Sequence, residues 1–514
     1  MKNYLPLLIS DFYKQAHAEQ YPANIEFIVA YFTPRMTRLE EGNLPIVFGL
    51  QGFIKDYLIE RFNGDFFQVP VDEVISEYER VIKNTLTQKY CVSQKIRELH
   101  NLGYLPVEIK SLPEGTRVPI KVPCFEISNT KKGFEWVAQF IESIMSCQLW
   151  FPMTIASQAY KYRKIVDNYY STTVDDNVPR SAAIAEFGFR GQEGLEGAIL
   201  ASSAFLTSFD KTATIPAILY LENYYGGIIE NRDVATGMLS TEHSVMCSNY
   251  AIDCNEVDFI KRLLSEIYPS ENLSMVADSY DYWGLISNIL TREDVKNIIL
   301  KREGVLFLRG DSGDPADIIC GTCRDFDKST DPASMGTIEC LWKIFGGAEN
   351  TKGYKVLNPK IRGIYGDGIT PLRAQDIYER LKRKGFASNN VVFGAGSFSM
   401  QCAMKDSPQG YVLEPFTRDT YGIAMKATAM EVNGLPISIF KDPKTDKGFN
   451  FKKSHRGMCC VHYDKDSNIV CTDGYNRETL PNEINLLQTV FKNGNLINEV
   501  SIYDIRNRLH NNNF

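Results

Sequence analysis

No apolar stretch in this chain approaches the length needed to cross a bilayer; runs such as AILYL (Ala217–Leu221) stop within two helical turns. Positive charge is not in surplus either. With 56 Lys and Arg against 63 Asp and Glu, the formal net charge is -7, which excludes whole-molecule attraction to nucleic acid or to an anionic membrane. Any phosphate-binding site must then be a local basic pocket. Cysteine is dilute, 12 in 514 residues, which rules out a disulfide scaffold. The lone CxxC, Cys320 to Cys323, has no second pair beside it, so the thiols are expected to be buried or incidental. No internal repeat or low-complexity tract stands out. The opening MKNYLPLLIS holds one lysine and a short apolar stub rather than the pattern of a signal peptide, and the expected compartment is cytoplasmic.

What is present is ordinary for a soluble enzyme: 44% hydrophobic and 23% charged residues, in a length that suits two or three domains. The spacing of Val74, Ile75, Tyr78, Val81 and Ile82 predicts an amphipathic helix over 72–86. Alternation broken by Pro and Gly over 105–130 predicts β-hairpins, and EWVAQFIESIMSCQLW (135–150) predicts a strongly apolar helix. From about residue 180 the rhythm changes. Apolar runs end in small or charged clusters, with helical stretches between: AIAEFGFRG at Arg190, STEHS at His243, LSMVADSYD at Asp278 and Asp281, VLFLRGDSGDP at Arg309 and Asp311, IRGIYGDG at Asp367, NVVFGAGS at Gly394 and Gly396. Strand, polar loop, helix, strand is the pattern of parallel α/β structure, and the polar clusters fall where strand C-terminal ends form an active face. The tripeptide Arg309-Gly310-Asp311 is also an adhesion motif, but nothing else points to secretion. Beyond residue 400 the chain is turn-rich and basic, with Lys441, Lys444, Lys447, Lys452, Lys453 and Arg456 in one stretch; this reads as a solvated face or a phosphate-facing loop.

The residue types support definite chemistry. Glycines in YGDG and FGAGS let backbone N–H groups approach phosphate oxygens, or serve as ordinary turns. Asp278, Asp311 and Asp367 on one face can bind ribose hydroxyls or Mg2+ with a pyrophosphate, or cap helices. His243 can act as acid, base or phosphoryl acceptor, or as a structural hydrogen-bonder.

In order along the chain, SDFYK (10–14), EFGFRG (186–191), EHS (242–244), DSYD (278–281), RGDSG (309–313), GDG (366–368), TRD (417–419), FKDP (440–443) and TVFKNG (489–494) together resemble the nicotinamide phosphoribosyltransferase family, over nearly the whole chain. The resemblance implies an α/β fold: the irregular β/α barrel of type II phosphoribosyltransferases, at 151–400, flanked by a mixed α+β domain formed from both chain ends, 1–150 and 401–514. It implies a homodimer with shared active sites, joining nicotinamide to 5-phosphoribosyl 1-pyrophosphate in NAD salvage, with Mg2+. Carried over by position, Phe187 and Tyr13, the latter from the second subunit, sandwich the pyridine ring. Arg309 reaches its carboxamide, Asp311 holds the ribose side, and Arg190 belongs to the base-binding motif. Gly366, Asp367, Gly396, Ser397 and Arg418 meet the 5′-phosphate, with Lys426 across the interface. Arg35, Lys441 and Lys452 hold pyrophosphate, and Asp278 with Asp311 holds Mg2+ through it. His243 matches a histidine that ATP phosphorylates, with Asp278 as its neighbour.

Three departures bear on specificity. The family's Asp at the position of Ala213 is missing, which weakens selection for amide over acid and leaves a nicotinate-using enzyme open. Ser397 and Phe398 interrupt the glycine run. The segment 401–416 is longer than the family's connection and leaves room for a larger donor, so that an enzyme using ADP-ribose 1-pyrophosphate to make NAD directly is an alternative. A non-catalytic binding protein is a further one, opposed by retention of Arg190, His243, Asp278, Arg309, Asp311 and Asp367.

Overall fold

The computed structural model describes residues 4–40, 42–89, 91–407, 410–445 and 452–511. The chain forms two compact units. One takes Met1–Ser157, Tyr220–Gly227 and Pro415–Asn511; the other takes Gln158–Leu219 and Ile228–Glu414.

The terminal unit is built on a seven-stranded sheet in the order Leu435–Ser438, Ala424–Val432, Ile25–Thr33, Phe125–Asn129, Val107–Ser111, Gln488–Lys492, Asn495–Leu496. Neighbouring strands are antiparallel throughout. The third strand in that order, IEFIVAYFT, is buried from Phe27 onward, as expected of a strand covered on both faces. The helix Val71–Thr85 buries Val74, Ile75, Tyr78 and Ile82, the face that the sequence spacing marks. The alternating stretch 105–130 forms one ladder, with Val107 opposite Asn129 and Ser111 opposite Phe125. The apolar stretch after Glu135 is two helices rather than one. Glu135–Phe140 ends and Glu142–Thr173 begins a new run of 32 residues.

The second unit holds seven strands: Ile184–Glu186, Lys211–Thr212, Leu239–Ser240, Leu273–Val276, Leu306–Gly310, Ile361–Tyr365 and Val391–Ala395. Every pairing is parallel, and the spatial order follows the chain. The last strand pairs with the first through Phe393 and Ile184. A parallel bridge between Lys211 and Thr236, just before the third strand, closes the ring. This is an irregular barrel: the second and third strands have two residues each, and an antiparallel pair, Gly347–Glu349 with Lys355–Leu357, is inserted before the sixth. The helix between the last two strands runs Pro371–Arg383. Thr370 caps it by accepting the Arg373 N–H, and Gly385 follows at φ +76°. After the barrel, Cys402–Ser407 and Gly410–Pro415 form a two-stranded extension.

Candidate active site

Each barrel strand delivers a predicted residue at or just beyond its C-terminal end: Phe187, Ala213, His243, Asp278, Arg309 with Asp311, Gly366 with Asp367, and Gly396 with Ser397. In a parallel barrel these ends form one mouth, so the sequence pattern of polar clusters after apolar runs marks a real face.

Phe187 is positioned by backbone and by missing side chains. Its N–H donates to the Ala395 carbonyl at 2.8 Å. Its ring lies over Gly394 and Gly366; a Cβ at residue 394 would fall 2.2 Å from the Phe187 ring, and one at residue 366 would fall 3.1 Å from it. These glycines let the ring approach the backbone closely. Behind it sits Glu186, 1% exposed. Its carboxylate accepts from the Gly188 N–H (2.5 Å), the Ser202 hydroxyl (2.8 Å) and the Thr212 hydroxyl (2.7 Å). Its carbonyl accepts the Ala213 N–H at 2.8 Å. Glu186 thus ties the ends of the first two strands together. The quoted motif contains it, yet no site role was read from it; a carboxylate inside the apolar run AIAEFGF was the available signal.

The acidic cluster is connected. Asp278 Oδ2 accepts the Asp311 N–H at 3.1 Å and the Ser312 hydroxyl at 2.5 Å. Its Oδ1 is buried and accepts no hydrogen bond among the described residues. His243 is exposed; its Nε2 lies 3.8 Å from that Oδ1, and its Nδ1 lies 3.2 Å from Ser279 Oγ. Arg309 Nε stands 3.2 Å from Asp311 Oδ2, and the same guanidinium donates to Ser240 Oγ at 3.0 Å. Burial raises the Asp311 carboxyl above the ordinary range. Arg309 opposes this, the Asp278 charge adds to it, His243 opposes it and Asp367 adds to it. Linked carboxylates with one orphaned buried oxygen fit a hard divalent cation such as Mg2+.

The two other aspartates of these motifs are helix caps. Asp314 accepts from the Ala316 and Asp317 N–H groups, and Asp281 accepts from Gly284 N–H. Arg190 and Asp367 are exposed. Ser397 is turned toward Gly191, where an added Cβ would lie 1.9 Å from its hydroxyl oxygen. The CxxC cysteines face different carbonyls, Cys320 that of Ile377 and Cys323 that of Asp325.

The remaining predicted residues lie in the terminal unit. A cavity of about 270 Å3 there is lined by Arg35, Lys121, Lys426, Lys453 and His455, with Tyr31, Thr33, Ser454 and Asp473 among its other walls. Burial lowers the Lys426 ammonium, Glu142 opposes this, and Arg35, Lys441 and Lys14 add to it; Lys426 Nζ lies 4.0 Å from Glu142. Concentrated positive charge in a concave wall suits a polyanion. Lys441 and Lys452 are exposed outside the lining, Arg418 is exposed on the turn Arg418–Thr420, and Tyr13 is 59% exposed. Lys447 lies outside the described residues. Lys121, on a turn, and Asp473, on the strand Ile469–Tyr475, carry no local sequence signal for this cavity, since the fold alone brings them here.

Comparison with known proteins gives a consistent picture. The profile of the nicotinate phosphoribosyltransferase (NAPRTase) family matches residues 182–495, and that of the nicotinamide phosphoribosyltransferase N-terminal domain matches residues 6–109. A nicotinamide phosphoribosyltransferase of Acinetobacter baylyi is 38% identical, over 98% of this chain and 97% of that protein. One from Mycoplasma pneumoniae is 30% identical over 86% of this chain and 92% of that protein. Among solved structures, human nicotinic acid phosphoribosyltransferase superposes with a TM-score of 0.57 at 14% identity, covering 97% of this chain and 92% of that one. The nicotinate-nucleotide pyrophosphorylase of Pyrococcus furiosus gives 0.54 at 13% identity, covering 99% and 97%. These two likenesses concern the fold.

Proposed function

The chain belongs to the nicotinate phosphoribosyltransferase family, and from that premise we propose that it joins nicotinamide to 5-phosphoribosyl 1-pyrophosphate, giving nicotinamide mononucleotide and pyrophosphate. The observation that carries this reading is the barrel mouth, where an aromatic face on glycine backbone, a guanidinium and linked carboxylates stand on successive strand ends.

The pyridine nitrogen attacks ribose C1′ as the bond to pyrophosphate breaks, so positive charge develops on the sugar and negative charge on the leaving group. Phe187 offers one face to the flat ring. Arg309, held by Asp311 and Ser240, donates to the carboxamide oxygen. Asp311 and Asp278 lie on the ribose side, where their charge favours the cationic sugar. Bound Mg2+ would be held by Asp278 and Asp311 together with pyrophosphate oxygens, and it supplies neutralisation of the leaving charge. Gly366, Asp367, Gly396 and Arg418 serve the 5′-phosphate. Arg35, Lys426 and the basic loop serve pyrophosphate. His243, exposed beside Asp278 and Ser279, is the candidate acceptor of a phosphoryl group from ATP. We further propose a homodimer in which Tyr13 of the partner subunit covers the second face of the pyridine. The exposed Tyr13 ring supports this.

The test is a product assay with nicotinamide, Mg2+ and each donor, resolved by mass. Nicotinamide mononucleotide from the phosphoribosyl donor is expected. NAD from ADP-ribose 1-pyrophosphate, with no mononucleotide from the other donor, overturns the donor assignment.

A further inference from the structure

In the terminal unit, the strands Met458–Tyr463 and Ile469–Tyr475 pair antiparallel, with a register irregularity between Met458 and Cys460. There the thiols of Cys459 and Cys471 and a ring nitrogen of His455 lie within 4.8 Å of one another. Among the described residues, no other three His, Cys, Asp or Glu side chains converge so closely. Ligand atoms on a tetrahedral Zn2+ stand about 3.3–3.8 Å apart, given bonds of about 2.0–2.3 Å, so small side-chain adjustments bring all three onto one ion.

The histidine is already arranged as a ligand. Its Nε2 lies 3.0 Å from the Lys121 carbonyl oxygen, which can only accept, so Nε2 carries the proton. A backbone carbonyl fixing the tautomer in this way is the usual support of a metal-bound imidazole. Nδ1 then presents its lone pair 3.4 Å from Asp473 Oδ2. A lone pair facing a carboxylate is repulsive unless a cation or a second proton lies there. The 3.4 Å separation sets a negative charge beside the imidazole, while Asp473 itself stands outside the three side chains that converge within 4.8 Å. Asp473 Oδ2 is itself held by the Arg456 N–H at 2.9 Å. Cys459 is held too: its N–H donates at 3.0 Å to the buried Tyr31 hydroxyl, which donates onward to Glu126 at 2.7 Å.

We propose that His455, Cys459 and Cys471 form a binding site for one thiophilic divalent cation of the Zn2+ class. Binding forms two metal–thiolate bonds and one metal–imidazole bond and releases the two thiol protons to solvent, so the ion's charge is balanced by two thiolates. Thiolate ligands select against Mg2+, so this site differs in chemistry from the carboxylates at the barrel mouth. His455 and Asp473 also line the cationic cavity, and the ion would sit in its wall.

The experiment is titration of the reduced, metal-stripped full-length protein with Co2+ and then Zn2+. One equivalent of Co2+ should give thiolate-to-cobalt charge-transfer and tetrahedral ligand-field bands, bleached by Zn2+. Cys459→Ser and Cys471→Ser should each weaken binding by at least about tenfold, while Cys254→Ser, at an exposed cysteine, should not. In case the serine variants fold poorly, alkylation of the wild type is mapped by mass spectrometry: Zn2+ should shield Cys459 and Cys471 selectively. Absence of thiolate bands, or equal alkylation with and without Zn2+, overturns the site.

Discussion

Arg309 and Asp311 illustrate how little covalent chemistry the site requires of the chain. In the proposed reaction both act by charge and position, so Arg309→Ala and Asp311→Asn should each lower kcat/KM by at least about a hundredfold, the scale of losing one preorganised electrostatic contact. Unchanged melting temperatures would separate this from unfolding; near-normal turnover in either variant would remove the loop from the reaction centre. The raised Asp311 carboxyl makes a second prediction. A carboxyl that holds its proton longer places the acid limb of the kcat/KM profile above the ordinary aspartate range. Asp278→Asn keeps an acceptor for the Asp311 N–H but removes a charge that raises Asp311, so that limb should move to lower pH whatever the residual rate. A limb that stays in place, measured from the pH dependence of kcat/KM, would show that another group governs it. At the second strand end, Ala213 is exposed at the mouth. Ala213→Asp should sharpen preference for nicotinamide over nicotinate by about 1–3 kcal/mol, through an added NH2 acceptor and a repulsive charge. Competition between the two bases in one assay reads this directly, and an unchanged ratio would place amide recognition on other residues.

Among elements, the seventh barrel strand is tightly constrained, because Gly394 lies against the Phe187 ring. Gly394→Ala puts a Cβ where the ring stands, 2.2 Å away. The backbone there is ordinary strand, so the effect is overpacking, about 1–3 kcal/mol, or displacement of the ring. The KM for nicotinamide should rise more than that for the donor; equal changes in both would mean that the ring is not a base platform. Strand ends such as Asp278, Arg309 and Asp367 are legible in the sequence because a parallel barrel sets its strand-end polar residues directly after short apolar runs. Helix faces were legible for the same local reason, as Val74, Ile75, Tyr78 and Ile82 demonstrate. Pairings across hundreds of residues were not. Nothing near Ile25–Thr33 announces Ala424–Val432 as its neighbour, and nothing near Lys121 announces His455. For Glu186 the apolar run AIAEFGF marks a buried carboxylate, but its three donors, Gly188 N–H, Ser202 and Thr212, come into view only in the fold. The cap roles of Asp281 and Asp314 are separated from the site role proposed for Asp311 only by which N–H groups they accept.

At the scale of the whole molecule, the proposed sharing of sites makes a mixing experiment decisive. Chains carrying Tyr13→Ala and chains carrying Phe187→Ala, each inactive alone, should recover about a quarter of wild-type activity after equal mixing and exchange, because half of the dimers then hold one intact site of two. Recovery of nothing after verified exchange, or full activity in a sedimenting monomer, would exclude sharing. The layout of the terminal sheet has a further consequence, for synthesis. Its three middle strands, Ile25–Thr33, Phe125–Asn129 and Val107–Ser111, leave the ribosome early, while the strands that cover both of their flanks, Ala424–Val432 and Gln488–Lys492, emerge last. For most of translation the nascent chain therefore carries a three-stranded apolar ribbon with two naked edges, the state most open to mispairing between neighbouring polysomal chains. A stop codon before Ala424 would make both edges permanently naked, and one between Val432 and Gln488 would leave the Val107–Ser111 edge so, so late truncations should yield inclusion bodies even when every barrel residue has been made.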